Sequence, residues 1–196
     1  MKKYLAASQY IDWQQPDVLA KAQSLAEGKA GDEAIARACF EFVRDEIKHS
    51  WDYQANPVTC KASDVLKYGT GYCYAKSHLL AALLRANNIP AGLCYQRLTI
   101  NNDQPPFCLH GLNAVYLQKY GWYRIDPRGN KEGVNADFIP PQEQLAFAIK
   151  HVQEADLAGI WPEPMAVVVD VLTAYADVLD VAQNLPDIEL TLLAKA

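Results

Sequence analysis

The amino-acid sequence predicts an α+β fold, and three observations carry that prediction. Apolar residues recur at helical spacing through the first 86 positions, three β-branched and aromatic runs follow between 93 and 125, and helical spacing returns after 142. Helices that precede and follow a block of strands, rather than alternating with them, belong beside an antiparallel sheet.

The first helix runs from Asp17 to Ala26, with Val18, Leu19, Ala22, Leu25 and Ala26 on its apolar stripe and Gly28 closing it. Asp32 is expected to cap a second helix, whose stripe is Ile35, Ala38, Cys39, Phe42, Val43 and Ile47. A loop from Trp51 to Thr59 leads to a short helix, Ala62 to Tyr68, which Gly69-Thr70-Gly71 breaks. The third long helix extends from about Cys73 to Ala86, with Cys73, Ser77, Leu80, Ala81 and Leu84 on one face. Asn87-Asn88-Ile89-Pro90 ends it, because the residue before a proline disfavours helix. Leu93 to Ile100, Leu109 to Leu117 and Trp122 to Ile125 read as strands, the last two joined by a hairpin turn at Gln118-Lys119-Tyr120-Gly121. From Gln142 the chain is expected to turn helical again. After Trp161-Pro162-Glu163-Pro164 a last helix carries Val167, Val168, Val171, Leu172, Tyr175, Val178, Leu179 and Ala182, closing the core or forming a dimer face.

At 196 residues, 51% of them hydrophobic and 21% charged, the chain is expected to form one domain over 1–196. A net charge of −5, with no Lys/Arg run that would track a phosphate backbone, argues against nucleic acid as a partner. Met1-Lys2-Lys3 resembles the start of a signal peptide, but the apolar stretch Tyr4 to Ala7 is too short for one, and nothing reads as a membrane span. The expected location is the cytoplasm. The five cysteines (Cys39, Cys60, Cys73, Cys94 and Cys108) are odd in number and contain no C-x-x-C, so free thiols are expected. Without paired ligand spacing, neither a metal nor another cofactor is expected.

Cys73 opens its helix, where backbone N–H groups without intrahelical partners, together with the helix dipole, favour thiolate over thiol. On local features alone, a cysteine packed on the core face is an equal reading. The hairpin changes the balance. If Leu117 pairs with Gly121 around a three-residue turn, Leu112 falls opposite Asp126, and Asp126 shares a face with His110 one diagonal step away. A two-residue turn would put them on opposite faces. In the first register Cys73, His110 and Asp126 form a nucleophile, its base and an orienting carboxylate.

Of the other candidates, Cys108 lies two residues before His110 and is expected to line the same site. Cys39 and Cys94 sit on core faces, and Cys60 sits in a loop where exposure is expected. His78 points round the helix away from Cys73, and His49 is read as ending a helix.

Three stretches carry a family resemblance. They are 69–92, GTGYCYAKSHLLAALLRANNIPAG; 110–116, HGLNAVY; and 121–127, GWYRIDP. The chain resembles the transglutaminase-like superfamily, with its papain-like core, over roughly Ala34 to Arg128. The resemblance implies N-terminal helices, a catalytic helix packed on an antiparallel meander, and a Cys73, His110 and Asp126 triad. It also implies a side-chain oxyanion donor upstream of the cysteine, for which Trp51, Tyr53 and Tyr68 are candidates. Leu112 stands where the family often has an aromatic residue. The implied activity is acyl transfer from a peptide or protein amide, with hydrolysis expected. The alternatives are an amine acceptor, as in transglutaminases and N-acyltransferases, or a binding module that has lost turnover.

Overall fold

The computed structural model describes residues 1–101 and 104–190. Pro16 opens α1 (Pro16–Ala26) at a position where its missing N–H loses no intrahelical bond. In α2 (Asp32–Glu41) the cap position belongs to Gly31, at φ 85°, so Asp32 is the first helical residue rather than the cap. Its carboxylate accepts the N–H of Glu33 at 2.8 Å and that of Gln118 at 2.6 Å, tying the helix to the hairpin turn. The helix continues through a π-helical turn, Phe42–Glu46, and becomes extended at Ile47. His49 therefore does not end a helix. It lies in β1 (Lys48–His49), followed by α3 (Ser50–Tyr53), α4 (Ala62–Tyr68) and β2 (Thr70–Gly71), and pairs in parallel with Gly71.

The next element, α5 (Cys73–Ala86), is buried from Cys73 to Arg85 on every side, not on one face as its stripe suggests. Helices α1, α2 and α4 surround it on one side, and β3 (Ala91–Asn101) and β4 (Gln104–Leu117) on the other. Each of Leu79, Leu80, Leu83 and Leu84 is fully buried, worth about 1.5–3 kcal/mol relative to exposure. The buried cations of α5 are satisfied by backbone carbonyls. Lys76 donates to Ile47 and Arg44, and Arg85 donates to Ala91, Ala6 and Pro162.

The main sheet has the order β5 (Gly121–Ile125), β4, β3, then a short edge strand. Strands β6 (Asp137–Ile139) and β7 (Gln142–Gln144) form a hairpin of their own, and β8 (Ala155–Asp156) is that edge strand. Leu117 pairs with Gly121 and Asn113 with Ile125, which is the three-residue turn and the register that the site requires. Pairing with β5 stops at Asn113, so the N-terminal half of β4 has β3 on one edge and no strand on the other among the described residues.

Two helical expectations fail. Beyond Gln142 the chain forms β7 and β8, anchored to the sheet by the Arg124 guanidinium between Glu143 and Asp156. Helix returns only with α6 (Ala166–Ala174). The expected single last helix is two, because Asp177 caps α7 (Val178–Gln183) by accepting the N–H of Leu179 at 2.8 Å. Aspartate is better placed at an N-cap than inside a helix. Among the described residues no helix is long and apolar enough to cross a membrane.

Candidate active site

Tyr72, in extended conformation, precedes the first turn of α5, so Cys73 enters among N–H groups that have no acceptor within the helix. Its Sγ accepts the N–H of Gly111 at 3.5 Å. That approach depends on glycine. A Cβ at Gly111 would lie 2.9 Å from Cδ1 and 3.0 Å from Cα of Tyr74, so any side chain there would push strand and helix apart.

His110 stands next to Gly111 on β4, and its Nε2 bonds Oδ2 of Asp126 at 2.7 Å. The remaining ring nitrogen, Nδ1, is then the one available to the Cys73 sulfur, whose charge raises the imidazole. Asp126 is fully buried and accepts the N–H of Arg128 at 3.1 Å and that of Ala146 at 3.0 Å. Burial alone would lower the His110 imidazole. The Asp126 charge and the Cys73 sulfur outweigh it and raise the ring from its ordinary 6.5 to about 10. Burial likewise pushes Asp126 up, but the His110 charge and the three hydrogen bonds hold it below 3.8. The imidazolium–carboxylate form is therefore favoured. The three residues singled out from the sequence meet in one place.

Cys73 and His110 line a cavity of about 590 Å³, with Asp126 buried behind the histidine. Leu98, Leu109, Phe147 and Leu185 form its apolar side, while His49, Arg128 and Glu154 are polar groups around it. Phe147 meets the His110 ring edge-on at 5.0 Å and shields the pair from water. Of the three oxyanion candidates only Trp51 lines the cavity. Tyr53 and Tyr68 are exposed and lie outside it, their rings covered by Lys48 and Lys67.

Sequence reasoning missed two residues here. Arg128 donates to both oxygens of Asp52, at 2.6 and 3.0 Å, and fixes α3 beside the site. His49 is buried, with Nδ1 3.7 Å from Asp52 and no hydrogen bond; burial and the Arg128 charge push it well below 6.5, so it is neutral. Nothing in the spacing links His49 to Cys73, because only the β1–β2 pairing brings them together. Cys108 lines the cavity as expected. Cys60 is buried, not exposed, because the chain before α4 lies against the core. Burial raises Cys39, Cys60, Cys94 and Cys108 to about 12.

A helix-start thiol, a strand imidazole and a buried carboxylate on a helix-over-meander scaffold define a papain-like architecture. The chain belongs to the transglutaminase-like superfamily, whose family profile matches residues 19–127. Among solved structures it is similar to a candidate cysteine protease from Cytophaga hutchinsonii, with 19% identity, a TM-score of 0.50, and coverage of 64% of this chain and 40% of that one. It is also similar to the periplasmic domain of TgpA from Pseudomonas aeruginosa, with 18% identity, a TM-score of 0.47, and coverage of 63% and 45%. A third is red sea bream transglutaminase, with 10% identity, a TM-score of 0.46, and coverage of 60% and 27%. The chain thus spans less than half the length of each. A search of curated proteins gave no significant match.

Proposed function

We propose that the chain is a thiol acyl-transfer enzyme that cleaves amide bonds as a cysteine peptidase or amidase, with Cys73 as nucleophile, His110 as acid–base and Asp126 as orienter. The observation that supports this most is the buried 2.7 Å bond between His110 and Asp126, which leaves the other ring nitrogen for Cys73 beside an open cavity. The sulfur attacks the amide carbonyl and forms a C–S bond, while the proton on His110 passes to the departing nitrogen as the C–N bond breaks. Asp126 keeps the ring oriented and stabilises its positive charge. In this reading the N–H of Cys73 holds the oxyanion, with Trp51, which lines the cavity, as the assisting side chain; such donors are typically worth about 3–4 kcal/mol. Water, deprotonated by His110, then attacks the acyl carbon; the C–S bond breaks, the carboxylic acid leaves, and the Cys73 thiolate and protonated His110 are restored.

The test is to trap the acyl-enzyme with a peptide-ester library and locate the acyl group by mass spectrometry. Acylation of Cys73 that disappears in Cys73→Ala and His110→Ala and is released by water supports the reading. Release only when a primary amine is added would replace hydrolysis by amine transfer, and a wild-type acylation rate in His110→Ala would remove the triad.

A further inference from the structure

The two reacting residues share a neighbour that is distant in sequence. Tyr72, immediately before Cys73, donates its hydroxyl to the carbonyl of Val178 at 2.5 Å. Leu109, immediately before His110, donates its N–H to the carbonyl of Pro186 at 2.7 Å. The segment 178–187 therefore bridges the residues flanking nucleophile and base, and Leu185 on it lines the cavity.

The bridge occupies backbone that would otherwise be open. Beyond Asn113 one edge of β4 has no strand partner, and N–H groups along an antiparallel strand point to the same edge at every second residue. On that edge Gly111 faces the Cys73 sulfur, and the next N–H, that of Leu109, is taken by Pro186. The carbonyl of Leu109 is also occupied, by the Tyr74 hydroxyl. Clamps hold the segment at both ends. Asp187 accepts from Nε and Nη2 of Arg97, each at 2.7 Å, and Arg97 lies over the Phe107 ring and donates to Gln153 at 3.1 Å. At the other end the Asn56 side chain accepts the N–H of Val178 at 2.9 Å and donates to Asp177 at 3.0 Å.

We infer that segment 178–187 is a fixed wall which stops a substrate chain at Leu109, so that the site takes small amides and chain ends rather than the interior of an extended polypeptide. The substrate class rests on the thiol acyl-transfer reading; the wall itself does not. An extended peptide that bound by strand addition would need the N–H and carbonyl of Leu109, and both are occupied. The apolar lining favours an acyl donor with a hydrocarbon side chain.

Two measurements separate the two levels. First, Cys73 is labelled with iodoacetamide and with iodoacetamide carried on a flexible polymer, read by mass spectrometry. The polymer reagent is expected to be slower by at least about tenfold in the native chain. Most of that gap should close in both Arg97→Ala and Asp187→Ala, with the small reagent unaffected. An unchanged ratio in two variants that keep native circular dichroism overturns the wall, whatever the catalytic reading. Second, the same scissile bond is presented at the end and in the middle of a peptide. Preference for the end by at least about tenfold in kcat/KM, reduced in Arg97→Ala, supports the substrate class, and equal kcat/KM in the native chain overturns it.

Discussion

Asp126 meets His110 at 2.7 Å with no solvent access to the carboxylate, which also holds the backbone N–H groups of Arg128 and Ala146. Three chain segments meet at that one side chain: β4, residues 126–128 and the stretch at Ala146. Asp126→Ala removes one member of a buried pair and strands two donors. It is expected to cost about 3–5 kcal/mol in urea unfolding. Asp126→Asn keeps the volume but presents an amide N–H to another donor; its acylation rate should fall by roughly a hundredfold or more in single-turnover measurements. Wild-type acylation in either variant would remove Asp126 from the site's chemistry.

The same pair sets a pH dependence. His110 is raised to about 10, so its contribution to stability is complete below about 6.5 and is lost as the pH rises through about 10. Asp126 is lowered, so its share is complete above about 3.8 and is lost as the pH falls through its folded value. Lys76 works against His110 at alkaline pH. Burial and the Arg128 charge bring it from 10.5 to about 7, so proton release from it favours the folded chain between about 7 and 10.5. The two slopes have opposite signs over the same interval. Lys76→Met should therefore expose a steeper loss of stability from pH 7 to 10 than the native chain shows, measured by urea midpoints in steps of pH. Parallel curves would refute this opposition.

Among five free cysteines, only Cys73 combines a helix start with a cavity it shares with His110, the imidazole paired to Asp126. Burial holds the other four near 12. Iodoacetamide at neutral pH is expected to modify Cys73 first, by at least about tenfold over the rest, with Cys39, Cys60 and Cys94 reacting only on unfolding. Peptide mapping over a time course checks this. Cys108 is partly exposed and lines the same cavity, so its early modification would be the outcome against the assignment.

Gly111→Ala tests the close approach of β4 to α5. The added methyl meets Tyr74 at 2.9 Å on its ring and 3.0 Å on its backbone, and the backbone does not yield cheaply. The expected cost is about 1–3 kcal/mol, with loss of acylation exceeding what the unfolded fraction explains, because the Cys73 to His110 spacing opens. Full acylation in this variant would show that the contact is not needed.

Much of this was legible from the residues. Helices α4 and α5 begin and end where their glycine and proline signals place them, and the turn at 118–120 has the length that lets Asp126 reach His110. Turn length and strand alternation are local properties, so that part of the site could be read from a short stretch. What could not be read depends on contacts distant in sequence. The segment after Gln142 lacks helix because Arg124 draws Glu143 and Asp156 to the sheet. His49 enters the site only through pairing with Gly71, and the glycine in His110-Gly111 gains its reason only once Tyr74 is beside it. Apolar spacing also understated α5, since a helix enclosed on all faces carries no contrast between faces.

The bridge from Tyr72 to Val178 joins residues 106 positions apart, which bears on timing. Contacts of that span form late, after local helices and the hairpin have consolidated. A chain already folded around α5 would hold its thiol and imidazole in place with one wall of the cavity still open until segment 178–187 docks. Loss of that docking alone would open the cavity to longer chains while leaving the spectroscopic signature of helix and sheet nearly intact.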